Sequence, residues 1–255
     1  MMMNFTLSNQ VQIPAVGIGT FMMTPDQAEK AVVDALACGY RMIDTAQAYM
    51  NERAVGRGIK RSGVAREDIF ISTKIWASQY LTEGTVEKSL ELLGTDYIDL
   101  MFIHQPAGDF MAGYRKLETV AIRPMVNQIE MHPYFAQESA LKVMEEYQIV
   151  PEAWAPLGGG RHNPFDNEMV KEIAAAHGKT VGQVVLRWNV QRGVVVIPKS
   201  VHKARIEENF QIWDFTLTEE EMQKISSLDL GYQGTAVKHF DPEFVKMCNI
   251  RKIHE

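Results

Sequence analysis

The pattern of apolar and polar positions alternates between strand-like and helix-like stretches along most of the chain. From Phe5 to Gly19, apolar and polar residues alternate around a Ser-Asn-Gln turn, which predicts a small hairpin and then a first strand over 15–19. Thr24-Pro25-Asp26-Gln27 is a typical helix start, and the apolar face that follows it stops at Gly39. The chain therefore begins as a hairpin, a strand and a helix.

The same signals predict the remaining elements. Further strands are expected to end at residue 44 and to cover 69–74, 97–104, 125–129, 150–155 and 194–198. Helices are expected over 51–61, 86–93, 110–118, 138–147, 167–177, 180–192, 204–209 and 219–228. The tail over 232–255 has no strong periodic signal and is expected to be irregular.

Alternation of strands and helices, with strands apolar enough to be buried, indicates an α/β fold. An open doubly wound sheet is disfavoured, because Gly17-Ile18-Gly19-Thr20 lacks the third glycine of a dinucleotide fingerprint. A (β/α)8 barrel suits the length of 255 residues. Polar residues recur at the C-terminal ends of the predicted strands, where (β/α)8 barrels place their active sites, and this favours the barrel over the open sheet. These residues are Asp44, Lys74, His104, Gln128, Trp154 and Lys199.

Composition narrows the function further. The net charge is −6 and no basic block occurs, so nucleic acid and anionic membranes are poor candidate partners. Apolar runs are too short to cross a bilayer, and the Met-rich start does not resemble a secretory signal. Two cysteines do not make a disulfide framework. We therefore expect a cytoplasmic protein with a single domain over 1–255, without a metal, and as a monomer.

Four residues at consecutive strand ends form a candidate catalytic group. Lys74 follows an apolar run and needs a counter-charge, which Asp44 at the neighbouring strand end can provide. A cationic Lys74 near Tyr49 should lower the pKa of the phenol, so that it can act as a general acid. His104 could hydrogen-bond the same reacting oxygen. The alternative for each residue alone is structural: a capping Asp, a packed Tyr, a snorkelling Lys or a core His.

A second candidate group lies near the C-terminal end of the pattern. Ile197-Pro198-Lys199-Ser200 ends a strand, and Arg205 lies at the start of the next helix. Lysine, serine and arginine at such a point are typical of phosphate binding, which barrels often place near their last strands. The alternative is a solvated cap with surface charges.

These stretches resemble the aldo-keto reductase family. The pattern G-x-R-x-x-D-T-A-x-x-Y-x-N-E-x-x-x-G from Gly39 to Gly56 agrees with the family signature at every fixed position. IPKSVHKARIEEN, from Ile197 to Asn209, agrees with the lysine-containing signature. GIGTF, STKIW, YIDLMFIHQP, NQIEMHP and WAPLGGG extend the resemblance over most of the chain. Within the family, the chain resembles the bacterial 2,5-diketo-D-gluconate reductases.

The resemblance implies roles for individual residues. Tyr49 corresponds to the proton donor, Asp44 and Lys74 tune it, and His104 orients the carbonyl. NADPH would be bound without a Rossmann fold; its implied site consists of Gly19, Thr20, Asp44, Gln128, Trp154, Leu157, Lys199, Ser200, Arg205, Glu208 and Asn209. Within this set, Trp154 stacks on the nicotinamide, while Lys199, Ser200 and Arg205 hold the 2′-phosphate. Trp76, Gln105 and residues 158–161 should line the substrate pocket, although the family commonly has Trp where this chain has Gln105.

One part of the family pattern is absent. The strand ending Gly-x-Ser-Asn-Phe, whose Ser-Asn pair normally holds the nicotinamide carboxamide, has no counterpart, and its expected place is between Glu118 and Arg123. The sequence therefore predicts seven barrel strands. Either a segment is left out of the sequence or the unit is truly deleted. We favour the omission, because a barrel with two unpaired strand edges would lose many backbone hydrogen bonds.

Two functions follow as hypotheses. In the first, the protein is an NADPH-dependent reductase of aldehydes or ketones with a small-molecule carbonyl substrate. In the second, it is a catalytically impaired nucleotide-binding barrel that lacks part of the cofactor site. Consumption of bound NADPH distinguishes the two.

Overall fold

The computed structural model describes residues 3–118, 124–160, 162–231, 241–251 and 253. The chain divides into two compact units. The first unit comprises Ile18–Arg123, Ser200–Lys203 and Val237–Glu255, and the second comprises Met1–Gly17, Pro124–Lys199 and Ala204–Ala236. The expectation of one domain over 1–255 stays a prediction.

Strands and helices alternate as the sequence pattern predicts. The β-strands of the described residues are β1 (Asn4–Thr6), β2 (Gln12–Pro14), β3 (Ile18–Gly19), β4 (Met42–Asp44), β5 (Phe70–Ile75), β6 (Leu100–Ile103), β7 (Val126–Glu130), β8 (Val150–Trp154) and β9 (Val195–Val196). The α-helices are α1 (Pro25–Cys38), α2 (Glu52–Ser62), α3 (Thr85–Leu93), α4 (Phe110–Glu118), α5 (Glu138–Glu146), α6 (Glu168–Ala176), α7 (Val181–Gln191), α8 (Lys203–Phe210), α9 (Glu219–Ser226) and α10 (Pro242–Ile250).

The first unit is built on a parallel sheet with the order β3-β4-β5-β6. All six residues of β5 are buried, which confirms the predicted strand covered on both faces. The four residues of β6, an outer strand of this sheet, are all half-buried. The register pairs Gly19 with Asp44 and Lys74 with Phe102, so the predicted catalytic residues lie toward one end of the sheet.

Helix α1 begins and ends where its sequence signals indicate. The Thr24 side chain accepts a hydrogen bond from the Gln27 amide, and the Gln27 side chain accepts one from the Thr24 amide. This capping box satisfies amides that the first turn leaves without helical partners. Gly39 ends the helix at φ 115°, a conformation that a side chain disfavours.

Close helix contacts in the first unit depend on small residues. A Cβ at Gly58 would lie 2.8 Å from the Cβ of Val32, and a Cβ at Gly56 would lie 2.2 Å from the carbonyl oxygen of Leu93. Glycine therefore allows α2 to approach α1 at one position and the end of α3 at the other.

The second unit contains a parallel sheet with the order β7-β8-β9 and the antiparallel hairpin β1-β2. The hairpin confirms the sequence prediction. A core of helix residues surrounds the fully buried Trp188, whose indole N–H donates to the Ser226 hydroxyl at 3.1 Å. Helices α6, α7 and α9 contribute to this core.

Two predicted elements need correction. The strand predicted over 97–104 is shorter, because the Arg66 guanidinium binds the Tyr97 carbonyl and the Asp99 carboxylate accepts from the Ile71 amide. Side-chain contacts thus replace the first part of the ladder.

The tail expected to be irregular contains α10, capped by Asp241, whose side chain accepts from the Glu243 amide. Asp-Pro at its start was an available signal.

The region of the expected missing strand contains a helix. Between Ile103 and Val126, the described residues form α4 and no strand, and residues 119–123 lie outside the described part of the chain. In the part of the chain that the structure describes, no helix has the length and apolar character needed to cross a membrane.

Candidate active site

The centre of the candidate site is a buried ion pair between two adjacent strands. The Lys74 ammonium donates to both carboxylate oxygens of Asp44, at 2.7 and 2.6 Å, and to the Thr45 carbonyl at 2.8 Å. Both charged side chains are 2% exposed. The Ser72 hydroxyl donates a further hydrogen bond to Asp44 at 2.9 Å. These contacts offset the cost of taking two charges out of water, and the predicted pairing is confirmed.

Tyr49 lies beside this pair. It ends the short 3-10 turn Gln47–Tyr49, and its ring centroid is 5.1 Å from the Lys74 ammonium. The rings of Phe21 and His104 contact it edge-on at 5.2 and 5.7 Å. The structure thus brings the four predicted catalytic residues together within the first unit.

His104 follows β6 directly, and its amide donates to the Ile75 carbonyl at 2.9 Å. Its ring meets the Trp76 ring edge-on at 4.9 Å. Burial, with smaller contributions from Lys74 and Arg251, lowers the pKa of His104 well below 6.5, so the imidazole is neutral near pH 7. The Nδ1 atom is buried and has no hydrogen-bond partner in the described structure. Because Nδ1 has no acceptor, the tautomer with the proton on Nε2 avoids a buried N–H donor without an acceptor.

The predicted pocket residues Trp76 and Gln105 lie next to His104. Trp76 is 4% exposed, and its indole N–H has no acceptor among the described residues. Gln105 adopts φ 60°, and the Tyr80 hydroxyl donates to the carbonyls of both His104 and Gln105. This hydroxyl fixes the loop after β6 and therefore the orientation of His104.

A buried polar network supports the ion pair, and the sequence analysis did not assign it a role. The Asn51 amide donates to the carbonyls of Thr20 and Met23, and its oxygen accepts from the Thr45 hydroxyl at 3.0 Å. Thr45 in turn binds Lys74. Thr45 and Asn51 belong to the stretch from Gly39 to Gly56, so the fixed asparagine of that signature was the available signal.

Glu52 extends this network toward α3. It is 2% exposed and accepts from the hydroxyls of Thr73 and Ser89, at 2.7 and 3.4 Å. Burial raises the pKa of its carboxyl, while the two hydroxyls and Lys74 act in the opposite direction. Glu52 thereby links β5, which holds Lys74, to a neighbouring helix.

The predicted cofactor residues Gly19 and Thr20 belong to the first unit. Gly19 pairs with Asp44 in the sheet, and the Thr20 amide and hydroxyl both donate to the Asp44 carbonyl, at 3.0 and 3.1 Å. The loop after β3 is therefore attached to the strand that ends in Asp44.

Three other predicted cofactor residues belong to the second unit. Gln128 occupies the middle of β7 instead of its end, because the strand continues to Glu130, and its amide donates to the Glu152 carboxylate. Trp154 is the last residue of β8 and is half-buried. Leu157 packs against the Trp188 core. Of the pocket residues predicted over 158–161, the three glycines adopt positive φ, and Arg161 lies outside the described residues.

The predicted phosphate-binding residues include two exposed cations. Lys199 follows β9, Arg205 lies in the first turns of α8, and neither side chain has an ion-pair partner among the described residues. Ser200 is 7% exposed, and its hydroxyl accepts from the His202 amide. Free cationic donors of this kind fit the phosphate groups of a nucleotide.

Glu208 and Asn209, which the family resemblance matches to adenine contacts, are held more firmly. The Glu208 carboxylate accepts from the Thr180 hydroxyl at 2.9 Å, and Asn209 is 5% exposed. Among the described residues, no group of three or more His, Cys, Asp or Glu could hold a metal ion. The first unit thus contains the predicted acid–base residues, and the second contains Glu208, Asn209 and the predicted phosphate-binding cations Lys199 and Arg205.

Comparison with known proteins gives the class to which this geometry belongs. The model of the aldo/keto reductase family matches residues 15–120 and 111–230, and the chain belongs to that family. It is 42% identical over 257 residues to the 9,11-endoperoxide prostaglandin H2 reductase of Trypanosoma cruzi, covering 88% of this chain and 90% of that protein. It is 41% identical to the glyoxal reductase of Bacillus subtilis, covering 88% and 91%.

Solved structures agree with the family. An aldo-keto reductase of Bombyx mori in complex with NADP has a TM-score of 0.86 and 29% identity, with coverage of 96% of this chain and 97% of that one. A candidate 2,5-diketo-D-gluconic acid reductase B has a TM-score of 0.86 and 32% identity, covering 93% and 95%. The predicted family, its resemblance to diketogluconate reductases and the α/β barrel class are confirmed.

The matches also bear on the missing unit. The family model matches in two pieces that meet at residues 111–120, within and just after α4. The alignment with the trypanosomal reductase spans 257 positions but uses only 88% of this chain of 255 residues, so it includes positions that the chain does not fill. Both findings agree with the absent unit that the sequence predicts.

Proposed function

We propose that this protein reduces aldehydes or ketones to alcohols, with NADPH as the hydride donor and Tyr49 as the proton donor. The observation that supports this most directly is the buried Asp44–Lys74 pair, with the ammonium 5.1 Å from the Tyr49 ring. A cation held beside a phenol stabilises the phenolate form, which is the effect that a general acid needs. Membership of a family of carbonyl reductases supports the same reaction.

Each side chain has a defined task in this proposal. Tyr49 donates its phenolic proton to the carbonyl oxygen of the substrate, and Lys74 stabilises the phenolate that remains. Asp44 keeps the ammonium in place. The neutral His104 donates from Nε2 to the same oxygen and orients the carbonyl group. The bound NADPH supplies the hydride that, with the proton, converts the carbonyl into an alcohol.

The side chains that would hold NADPH fit a phosphorylated dinucleotide. Lys199 and Arg205 are exposed cations without carboxylate partners in the described structure, and with Ser200 they would hold the 2′-phosphate. Thr20, Gln128 and Trp154 would position the nicotinamide, with Gly19, Asp44 and Leu157 beside it. Glu208 and Asn209 would contact the adenine. A 2′-phosphate site of this kind favours NADPH over NADH.

The test is NADPH oxidation by the purified protein with a reactive aldehyde, compared with the same assay with NADH. We expect turnover with NADPH, and we expect Tyr49→Phe to lower it by about 100-fold or more, because general acid catalysis contributes at least that factor. Tyr147→Phe is the matched control, since Tyr147 is exposed and lies in the second unit.

Full turnover in the Tyr49→Phe variant would contradict the assigned role. Binding of NADPH without its consumption by the wild-type chain would favour the alternative, a nucleotide-binding protein without reductase activity. That alternative is supported by the absent unit, whose Ser-Asn pair would otherwise hold the nicotinamide.

A further inference from the structure

The C-terminal segment brings a cation to the wall of the candidate active site. The Arg251 guanidinium lies over the Trp76 ring at 5.3 Å, and Trp76 contacts His104. One guanidinium nitrogen donates to the Ala48 carbonyl at 3.0 Å, next to Tyr49. Arg251 also acts on His104 through its charge. This residue was not among those predicted from the sequence.

Buried neighbours hold Arg251 in position. Cys248 and Ile253, on either side of it in the sequence, are 0% and 4% exposed and belong to the same apolar cluster as Trp76. The Ser78 hydroxyl donates to the Arg251 carbonyl at 3.0 Å. The backbone at Arg251 is therefore fixed, while its side chain is exposed. A fixed and solvent-accessible guanidinium is pre-organised to meet a ligand.

The charges of the site leave this cation uncompensated. Lys74 is paired with Asp44, and His104 is neutral near pH 7, for the reasons given above. No carboxylate forms an ion pair with Arg251 in the described residues, and its only recorded side-chain hydrogen bond goes to Ala48. The wall of the site thus has one unpaired positive charge in a protein whose net charge is −6.

We propose that Arg251 selects carbonyl substrates that also carry a carboxylate group. This inference rests on the proposed reductase function and specifies its substrate class. A guanidinium presents paired N–H donors that match the two oxygens of a carboxylate, and such charge-assisted pairs are stronger than neutral hydrogen bonds. A neutral aldehyde would leave the guanidinium without this partner.

The experiment compares two matched pairs of substrates. One pair is succinic semialdehyde and its methyl ester, and the other is 4-carboxybenzaldehyde and its methyl ester. For each pair, the ratio of kcat/KM for the acid to kcat/KM for the ester measures selection for the carboxylate. We expect Arg251→Ala to lower this ratio by about 10-fold to 100-fold in at least one pair, mainly through KM. Arg251→Lys should retain part of the selection, because it keeps the charge but loses the paired donors.

Lys246→Ala is the control, since it removes a cation from an exposed position of α10 and should keep the ratio of the wild type. An unchanged ratio in Arg251→Ala for both pairs would overturn the inference. Equal losses for acid and ester would also overturn it, because they would mean a structural role only. A wild-type chain that reduces none of the four compounds would instead contradict the proposed reductase function.

Discussion

At the scale of single residues, the site depends on charges that are buried but fully partnered. The Lys74 ammonium donates two hydrogen bonds to the Asp44 carboxylate and one to the Thr45 carbonyl. The Tyr49 ring centroid lies 5.1 Å from this ammonium, so the charge of Lys74 acts on the phenol. Removing either partner would leave a buried charge without compensation, which is far more costly than the pair is stabilising.

His104 makes a prediction about stability and pH. Burial lowers its pKa in the folded protein, whereas in the unfolded chain the ring takes up a proton near pH 6.5. Below that pH the unfolded state binds more protons than the folded state, so the free energy of unfolding falls as the pH is lowered through that window. We expect the wild type to lose more stability between about pH 7 and about pH 5 than His104→Gln does.

Urea unfolding at each pH measures this difference. His202→Gln is the control, because His202 is exposed. Equal pH dependence in the wild type and His104→Gln would show that His104 does not resist protonation in the folded protein.

At the scale of elements, close helix contacts set the tolerance to substitution. In Gly56→Ala, the new Cβ would lie 2.2 Å from the Leu93 carbonyl oxygen, so α2 and the end of α3 must move apart. We expect the free energy of unfolding to fall by about 1–3 kcal/mol.

Gly182→Ala is a matched helical control, since its Cβ would meet no atom closer than 3.6 Å. It should change stability by less than about 1 kcal/mol, in the stabilising direction. Chemical unfolding of both variants checks this, and equal stabilities would contradict the close approach of α2 to α3.

The elements were largely predictable because local signals and burial agree. The capping box at Thr24 and the end at Gly39 fix α1, and the apolar run of β5 fixes a buried strand. Strand ends were less certain, because side chains such as Arg66 and Asp99 compete with the ladder for backbone groups. Helix α10 was missed although its Asp-Pro start was visible, because its apolar residues do not form one buried face: Met247 and Ile250 are exposed, while Cys248 is buried.

At the scale of the whole molecule, charged partners on neighbouring parallel strands could be predicted, but partners from distant segments could not. The sequence places Asp44 and Lys74 at neighbouring strand ends, and their pairing follows from parallel register. Gln128 and Glu152 are likewise register partners, but they were not paired in advance, because Gln128 carries no charge that would require a partner. The approach of Arg251 to Trp76 links residues far apart in sequence, and no local pattern encodes it.

The absent unit leads to the last prediction, which concerns β6. This strand pairs with β5 and is an outer strand of its sheet, and its four residues are all half-buried, whereas all six residues of β5 are buried. In a chain of this sequence, the amides of Leu100–Ile103 should therefore exchange with solvent at least about tenfold faster than those of Phe70–Ile75, because an outer strand opens more easily than a strand paired on both sides. Hydrogen exchange with mass spectrometry measures both segments, and the intact mass is read from the same sample. A mass of 28.9 kDa with equal protection of the two segments would contradict the interpretation of β6 as an open edge. A larger mass with equal protection would mean that the missing unit is present in the protein and pairs with β6.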